Sequence, residues 1–268
     1  MKIGSPTKRI SAISSANETT IVVRGLDLCR DLIGKVSFTD HIWLLIAGGL
    51  PSPAQRRVLD ATLVAIAEHG LVPSVAASRM TLAAAPESLQ GAVAAGILGC
   101  GSVILGAAES AGRLFTDILA RSATDTLDKA ARTAITKLRD AGHSIPGFGH
   151  PLHKTVDPRT PRLLAVARET SMAGPHVEVA RSIETLLPQI LGKALVMNVS
   201  GAIAAVLLDC GYPLLALKGV PVLARTAGLI AHLLEEQARP IGFAIAHSGS
   251  ASIDYDGKAP EGFVPGDR

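Results

Sequence analysis

Apolar side chains recur every three or four residues along most of the chain, and this spacing predicts a mainly helical protein. The clearest stretch is SPAQRRVLDATLVAIAEHG, where Ser52 is suited to cap a helix, Pro53 to occupy its first position and Gly70 to end it. Similar patterns predict further helices over Pro86–Gly99, Gly106–Arg121, Thr126–Ala141, Thr160–Ala173, His176–Leu191, Asn198–Leu208 and Val220–Gln237.

The two ends of the chain follow other patterns. Residues 8–25, KRISAISSANETTIVVRG, alternate around a polar turn near Asn17, which predicts a short β-hairpin. Residues 247–268 are polar and rich in turn-forming residues, so we expect an extended C-terminal tail.

Composition narrows the kind of core and the class of partner. Hydrophobic residues make up 48% of the 268 residues but aromatic residues only 3%, so the core is built from small and aliphatic side chains that allow helices to pack closely. The formal net charge is +3, and no run of Lys or Arg is interleaved with aromatic residues, which argues against a nucleic-acid partner. The chain is long enough for one or two domains.

Cysteine usage and hydropathy favour a cytoplasmic protein. Cys29, Cys100 and Cys210 lie far apart and are odd in number, which predicts neither a disulfide framework nor a zinc site. The polar N-terminus lacks the continuous apolar core of a signal peptide. Of the apolar segments, Leu195–Leu208 is too short to span a bilayer and Leu214–Leu234 is interrupted by Lys218, Pro221 and Arg225, so we expect buried helices and no membrane role.

One loop gathers most of the candidate chemistry. In GHSIPGFGHPLHKTVDPR, Pro146, Gly147 and Gly149 disfavour a helix and allow a sharp turn that presents backbone amides beside His150. Asp157 and Pro158 then restart a helix whose first turn carries Arg159. Such a loop is suited to hold a polar ligand.

This loop resembles the signature of the citrate synthase superfamily, in which a Pro-Gly-aromatic-Gly-His turn is followed nine residues later by the arginine of Asp-Pro-Arg. Three further stretches resemble segments of that family in the same order: VVRGLDLCRDLIGKVSFTDHIWLLIAGGLPS, AEHGLVPS and LARTAGLIAHLLEEQARP. The resemblance covers roughly Val23 to Pro240. EHGLVPS and MNVSGAI are most similar to the citryl-CoA lyase module of ATP-citrate lyase.

The resemblance implies a mainly α fold with a large and a small domain, a short N-terminal hairpin and a cleft whose closure excludes water. We expect residues 1–125 and 219–268 to form the large domain and residues 126–218 the small domain with the coenzyme A-facing loop. The family places the Arg-Pro arginine in the neighbouring subunit's site, so Arg239 implies a homodimer or higher homo-oligomer.

The resemblance also implies roles for individual residues. His69 and His150 would contact the substrate's carbonyl or hydroxyl oxygen and a carboxylate. Arg159, Arg225 and Arg239 would bind the substrate's carboxylates through the fixed fork of the guanidinium group. The coenzyme A-binding residues would be Ser144, Ile145, Pro146, Gly147, Phe148 and Gly149 through backbone contacts, with Lys154 near a phosphate. Coenzyme A enters as a thioester substrate or product, so no tightly bound cofactor and no metal is expected.

Two positions depart from the family pattern. Leu105, in SVILGAAES, stands where citrate synthases have a catalytic histidine, a residue that the lyase module also lacks. Ser200, in MNVSGAI, stands where both relatives have the aspartate that exchanges a proton with the acetyl carbon. Because a positioned acid or base typically contributes about 10²–10⁴ in rate, these changes argue against an ordinary synthase. Glu109 is an alternative carboxylate on this side of the site.

The sequence therefore favours a carbon–carbon lyase that cleaves citryl-CoA, or a similar 3-hydroxy-3-carboxyacyl-CoA, to acetyl-CoA and oxaloacetate, with Ser200 holding a water that protonates the enolate. Two alternatives stay open: a synthase with an unusual acyl-CoA, and a non-catalytic binder of di- or tricarboxylates. His150 and His69 also have simple structural readings as a loop residue and a helix-terminal residue, and Arg225 as half of a salt bridge. The sequence has no P-loop or ATP-grasp segment, so any ATP-dependent step lies elsewhere.

Overall fold

A computed structural model of the chain describes residues 10–101 and 105–263, and it is mainly helical, as predicted. Eleven α-helices lie in these described residues: α1 (Phe38–Ala47), α2 (Pro53–Ala67), α3 (Pro73–Ala84), α4 (Leu89–Leu98), α5 (Ala107–Ser122), α6 (Leu127–Asp140), α7 (Arg159–Glu169), α8 (Pro175–Leu191), α9 (Val199–Asp209), α10 (Gly219–Ala238) and α11 (Gly242–Ala251). A π-helical turn covers Leu28–Leu32 and a 3₁₀ turn covers Leu214–Ala216.

The predicted N-terminal hairpin is present and gains a third strand. Strands β1 (Ser14–Ala16) and β2 (Ile21–Val23) pair antiparallel, with Ser14 opposite Val23, and β3 (Leu26–Asp27) adds to β2. The Asn17 side chain accepts the backbone N–H groups of Thr19 and Thr20 at 3.0 and 2.8 Å, which holds the turn between β1 and β2.

Three helices were not among those predicted. Helix α1 begins at a capping box in which Ser37 and Asp40 each accept the other's backbone N–H. Helices α3 and α11 are rich in Ala and Ser, and α11 also in Gly, which weakens their apolar periodicity. The expected extended tail is also wrong at its start, because α11 continues to Ala251.

The described chain divides into two compact units. The first unit comprises residues 10–65 and 107–220, and the second comprises residues 66–101, 105–106 and 221–263. This division falls within α2, between Ala65 and Ile66, and differs from the grouping expected from the sequence, whose boundaries stay a prediction.

Helices α5 and α9 form the centre of the first unit. Helix α5 packs against α6, α8 and α9, and α9 also packs against α7 and α8. Every residue from Gly201 to Leu207 is buried, so α9 presents no solvent-facing side over that stretch. The largest fully buried side chains of this core include Phe115, Ile118, Ile135, Ile183, Leu187, Ile203 and Leu207. The site loop is anchored on the N-terminal end of α9.

In the second unit, α3 packs against both α4 and α11, and Leu82, Ala92 and Leu233 form a buried apolar cluster. Helix α10 approaches the end of α2 at Gly228, where a methyl group would lie 2.2 Å from the Ala67 carbonyl oxygen. Only glycine therefore fits at this point without a shift of the backbone. The contact brings the residues of α10 beside those that follow α2.

One stretch of the described residues, Leu214–Ala238, is long and apolar enough to cross a membrane when judged by length and composition alone. In the structure 33% of its most apolar window is buried. Core helices of soluble proteins pass the same test.

Candidate active site

The predicted ligand-binding loop of the first unit is held against the start of α9 by its backbone. Gly147 and Gly149 adopt φ values of +87° and +81°, which glycine accommodates without strain. The Gly147 carbonyl accepts the Asn198 N–H at 2.9 Å, and the Gly149 N–H donates to the Val196 carbonyl at 2.8 Å. The loop is thus paired with the segment that leads into α9.

Asn198 joins this loop to the first turn of α9. Its side-chain oxygen accepts the N–H groups of Ser200 and Gly201 at 3.0 and 3.2 Å, which caps the helix, while its amide nitrogen donates to the Gly149 carbonyl at 2.7 Å. Ser200 consequently lies in the first turn of α9 beside the loop. None of the hydrogen bonds found among the described residues involves the Ser200 hydroxyl.

The loop approaches α9 so closely that two glycines are needed. A methyl group on Gly201 would lie 2.5 Å from the Gly147 carbonyl oxygen, and one on Gly147 would lie 2.9 Å from the Gly201 Cα. Ile145 and Phe148 point inward and are buried, with Phe148 packing edge-on against Phe115 at 6.3 Å between ring centres. Their backbone, rather than their side chains, is therefore what the loop can offer a ligand.

His150 is fixed in one tautomer by the turn that follows it. Its Nδ1 accepts the backbone N–H groups of Leu152 and His153 at 3.1 and 3.0 Å, so the ring proton of the neutral imidazole is on Nε2. The His153 ring stacks on the His150 ring, with centres 4.4 Å apart and planes inclined by 26°. His150 can therefore donate a hydrogen bond through Nε2, and its Nδ1 is not available as a base.

Arg159 is attached to the same region through Asp157. The Asp157 carboxylate accepts Nε and Nη2 of Arg159 at 2.9 and 2.8 Å and also accepts the Val199 N–H at 2.9 Å. Burial raises the pKa of Asp157, but the Arg159 side chain and the backbone N–H donors outweigh it and hold the pKa below its usual value. The pair leaves Nη1 of Arg159 outside the Asp157 fork, and the Arg159 side chain is 17% exposed.

The structure thus brings together, within the first unit, the loop, His150, Arg159 and Ser200. Ser144 and Lys154 are exposed, and the Lys154 amine donates to the His150 carbonyl at 3.1 Å. The contribution of Asp157 and Asn198 was not predicted, although both stand beside predicted residues in the sequence. The assigned roles of all these residues stay predictions.

In the second unit, Arg225 is buried in α10 with 2% of its surface exposed. Its Nη1 lies 3.9 Å from Oε2 of Glu68, the residue before His69. Glu68 also accepts the His69 N–H at 2.9 Å and the Gly70 N–H. Arg225 is therefore held near the turn that carries His69, which the sequence alone did not indicate.

Arg239 is not placed beside Arg225. It is exposed just beyond the C-terminal end of α10, fourteen positions after Arg225, and a helix rises about 1.5 Å per residue, or roughly 20 Å over this interval. Two arginine side chains of the same copy of the chain that lie so far apart cannot both bind one small dicarboxylate.

An ion-pair network centred on a buried arginine, which the sequence did not reveal, lies near Arg239. Arg79, with 2% of its surface exposed, donates to Glu236 at 2.6 Å, to Glu235 at 2.8 Å and to the Arg239 carbonyl at 3.1 Å. An arginine in an otherwise apolar segment was the only sequence feature that could have indicated it.

The positions that depart from the family pattern carry no strong base in the structure. Leu105 is buried, with φ of +66°, and residues 102–104 before it lie outside the described residues. Glu109, the alternative carboxylate, is in the first turn of α5 and is ion-paired with Arg113 at 2.6 Å. The Glu109 carboxylate therefore already has a charged partner.

Comparisons with known proteins agree with the resemblance found in the sequence. The model of the family described as "Citrate synthase, C-terminal domain" matches residues 51–242. The solved structure of citryl-CoA lyase from Hydrogenobacter thermophilus is 32% identical, with a TM-score of 0.83 over 96% of this chain and 97% of that one.

Two larger proteins are similar over part of their length. ATP citrate lyase of Methanosaeta concilii, a D541A mutant solved with (3S)-citryl-CoA, is 23% identical with a TM-score of 0.79, over 97% of this chain and 43% of that one. The curated relative "ATP-citrate synthase beta chain protein 1" of Arabidopsis thaliana is 28% identical over 88% of this chain. The chain spans 40% of that relative's length.

Proposed function

The chain belongs to the citrate synthase family, and from that premise we propose that it is a lyase that cleaves citryl-CoA, or a close 3-hydroxy-3-carboxyacyl-CoA, to acetyl-CoA and oxaloacetate. The observation that carries the proposal is the fixed tautomer of His150. A neutral imidazole with its proton on Nε2 is suited to donate to the oxygen that turns from a hydroxyl into a ketone.

In the proposed reaction the hydroxyl proton leaves, the carbon–carbon bond breaks and its electron pair moves to the acetyl carbon, giving the thioester enolate. The enolate then takes a proton. His150 stabilises the oxygen, while the hydroxyl proton goes to another group, a contact that the family resemblance assigns to His69. Ser200, at the first turn of α9, holds the water that protonates the enolate.

Cleavage suits this site better than synthesis does. Synthesis must remove a weakly acidic proton from acetyl-CoA, which requires a strong base, whereas an enolate already formed takes a proton from water. Neither the serine at position 200 nor the buried Leu105 provides such a base, and Glu109 is ion-paired with Arg113.

We further propose that coenzyme A enters as a thioester substrate, without a resident cofactor, and that the protein acts in the cytoplasm as a homodimer or larger homo-oligomer. The carboxylates would be bound by Arg159, Arg225 and, from a second copy, Arg239. Activation of citrate to its coenzyme A thioester would belong to another protein or chain segment.

A coupled assay tests the proposal directly. Purified protein is incubated with citryl-CoA, and released oxaloacetate is reduced by malate dehydrogenase with NADH. We expect oxaloacetate release well above the spontaneous rate measured without protein. Release at the spontaneous rate with citryl-CoA would contradict the lyase assignment.

A carboxylate binder without turnover is the second candidate, favoured by the missing acid at position 200. It predicts calorimetric binding of citrate that Arg159→Ala and Arg225→Ala abolish, with no acyl-CoA turned over. Release of free thiol from acetyl-CoA and oxaloacetate would instead indicate a synthase.

A further inference from the structure

Glu68 is the centre of a hydrogen-bond network in the second unit. One carboxylate oxygen accepts the backbone N–H groups of His69 and Gly70, and the other lies 3.0 Å from Nε2 of His232 and 3.9 Å from Nη1 of Arg225. Burial raises the pKa of Glu68, but the hydrogen bond from His232 and those from the backbone outweigh it, so its pKa lies below the usual value. Glu68 is therefore an anion at neutral pH.

Two neighbours, Arg79 at Nδ1 and Glu68 at Nε2, determine which ring nitrogen of His232 carries the proton. Its Nδ1 faces Nη1 of Arg79 at 3.4 Å, and an arginine can only donate, so Nδ1 accepts and the ring proton is on Nε2, directed at Glu68. Arg79 itself is held by Glu235 and Glu236. The imidazole therefore links a rigid buried arginine to the Glu68 carboxylate.

Backbone packing fixes the distances in this network. Arg225, Gly228 and His232 lie on one side of α10, because positions three, four and seven apart share a helix face. At Gly228 that face touches the end of α2, where a methyl group would lie 2.2 Å from the Ala67 carbonyl and 3.1 Å from the Glu68 carboxylate. Neither helix can slide without breaking this contact.

Arg225 needs such an arrangement because a buried guanidinium group requires a counter-charge. Glu68 supplies that charge, but at 3.9 Å and not as a two-pronged fork of the kind that Asp157 makes with Arg159. At this distance Glu68 acts on the guanidinium as a nearby negative charge and not through two parallel hydrogen bonds.

We propose that Glu68 and His232 are positioning residues for Arg225: His232 holds the Glu68 carboxylate in place, and Glu68 holds the buried guanidinium in the orientation that receives a substrate carboxylate. The proposal rests on the carboxylate-binding role of Arg225 in the proposed function. In this proposal neither residue contacts the reacting atoms, so both act on affinity rather than on the chemical step.

Calorimetry with citrate measures the predicted effect. His232→Phe should raise the Kd for citrate about tenfold, because Glu68 loses its donor, whereas His232→Gln, whose amide can replace Nε2–H, should change it less than about threefold. In an Arg225→Lys background, His232→Phe should add nothing further. His247→Phe, at an exposed position of α11, is the matched control and should be neutral.

Kinetics with citryl-CoA separate positioning from a general loss of structure. His232→Phe should raise KM with kcat within about threefold of wild type, because Arg225 binds the carboxylate equally in ground and transition states. A fall in kcat with unchanged KM, or additive losses of citrate affinity in the Arg225→Lys background, would overturn the proposal.

A third measurement needs neither ligand nor activity. The Arg225 Nε–H resonance, assigned by comparison with Arg225→Lys, should shift and exchange faster with solvent in Glu68→Gln and His232→Phe, and should be restored in His232→Gln. If the resonance is unchanged in Glu68→Gln and His232→Phe, the positioning role is wrong. Wild-type protein that fails to cleave citryl-CoA while this resonance responds as expected would contradict only the proposed function.

Discussion

At the scale of single residues, the candidate site of the first unit combines the Nε2–H donor of His150 with a serine, not a carboxylic acid, at position 200. The His150 Nδ1 accepts two backbone N–H groups of the turn that follows it. The Asp157 carboxylate accepts hydrogen bonds from the Arg159 side chain and from the Val199 N–H. The family resemblance predicts that Ser200 stands where relatives have an aspartate, and none of the hydrogen bonds found among the described residues involves its hydroxyl. Under the proposed function, such a site would stabilise an oxygen well and would move a proton on carbon only weakly.

His150→Asn tests the role of Nε2. The asparagine oxygen can still accept the N–H groups of Leu152 and His153, so the turn should survive, but the Nε2–H donor is lost. We expect kcat for citryl-CoA to fall about 10²–10³-fold, as for loss of an oxyanion donor. The melting temperature should stay near that of the wild type, and His150→Ala should lower both. Unchanged kcat in His150→Asn would show that another group stabilises the oxygen.

Ser200→Asp tests the missing acid. A carboxylate in the first turn of α9 is favoured by the helix dipole, and the family resemblance predicts an aspartate at this position in relatives. Wild type should exchange the acetyl protons of acetyl-CoA with deuterated solvent slowly, and Ser200→Asp should increase exchange, by up to about 10²–10⁴-fold, measured by mass spectrometry with an oxaloacetate analogue present.

Two variants accompany this measurement. Ser200→Asn, similar in size but uncharged, should leave exchange slow, and adding Leu105→His to Ser200→Asp should raise it further. If the wild type already exchanges rapidly and Ser200→Asp slows it, the placement of Ser200 is wrong and Glu109 is the first residue to examine.

Residues close in sequence were predictable and residues brought together by folding were not. The spacing of His150 and Arg159 is visible in one loop, and the structure places both at the start of α9. The pairs Glu68–His232 and Arg79–Glu236 join positions more than 150 residues apart, in the latter case 157. No local pattern reveals such partners, because only the packing of α10 brings them together.

At the scale of elements, the helices with clear caps and apolar periodicity were predicted with boundaries close to those observed. The helix predicted over Thr126–Ala141 is observed over Leu127–Asp140, with Thr126 as its N-cap. Helices α3 and α11 were not predicted, because their many small residues give little difference in hydrophobicity between the faces of each helix. Their stability comes from packing in the second unit, which local propensity does not encode.

Gly201→Ala tests the contact between the loop and α9. The added methyl group would lie 2.5 Å from the Gly147 carbonyl oxygen, so the loop must move away from the helix. We expect a loss of about 1–3 kcal/mol in the free energy of unfolding and weaker coenzyme A binding by calorimetry. Gly219→Ala, which meets nothing within 4 Å, is the matched control. Equal effects in the two variants would mean that the close approach is unimportant.

Asp209 gives a pH-dependent test of element stability. At the end of α9 it accepts the N–H groups of Gly174, His176 and Val177 and the His176 ring at 2.7–3.0 Å, which caps α8. Burial raises the pKa of Asp209, but these hydrogen bonds outweigh it and lower the pKa below the ordinary value. Its stabilisation is therefore full above about pH 4 and is lost as pH falls through the lower folded-state pKa.

Asp209→Asn should reduce the free energy of unfolding by about 1–3 kcal/mol at pH 7 in urea titrations, because the amide nitrogen faces donors. The difference from wild type should shrink below about pH 4, as the wild-type carboxyl becomes protonated. Asp128→Asn, a 64% exposed side chain, should have little effect at either pH. If the difference in the free energy of unfolding between Asp209→Asn and wild type did not depend on pH, the lost stability would not come from the carboxylate charge.

At the scale of the whole molecule, α10 carries a second apolar face that the described chain does not cover. Ala227, Ile230, Ala231 and Leu234 are exposed at helical spacing, with Ile230 and Leu234 at 50% and 68%. An exposed apolar stripe of this kind favours association with another surface. This exposed face and the separation of Arg225 from Arg239 support the proposed homo-oligomer, in which a second copy of the chain contributes Arg239 to each site.

Mixing two inactive variants tests the shared site. Arg225→Ala and Arg239→Ala should each lose most citryl-CoA cleavage, because each removes a carboxylate anchor. If Arg239 serves the site of a second copy, a dimer containing one chain of each variant has one site with both arginines mutated and one with both intact. Random reassembly of equal amounts, after mild denaturation and refolding, makes half of the dimers mixed. Activity should then recover to about a quarter of the wild-type level.

The same mixture distinguishes the alternatives. If both arginines served the site of their own chain, every site in a mixed dimer would lack one arginine, and activity would stay at the level of the separate variants. Wild-type protein that has been denatured and refolded in the same way gives the reference activity.

The double variant Ile230→Glu with Leu234→Glu places charges on the exposed face of α10. It should be monomeric by light scattering and should lose activity. Full activity in such monomers would contradict the shared site, since roughly 20 Å along α10 separates the two arginines within one chain.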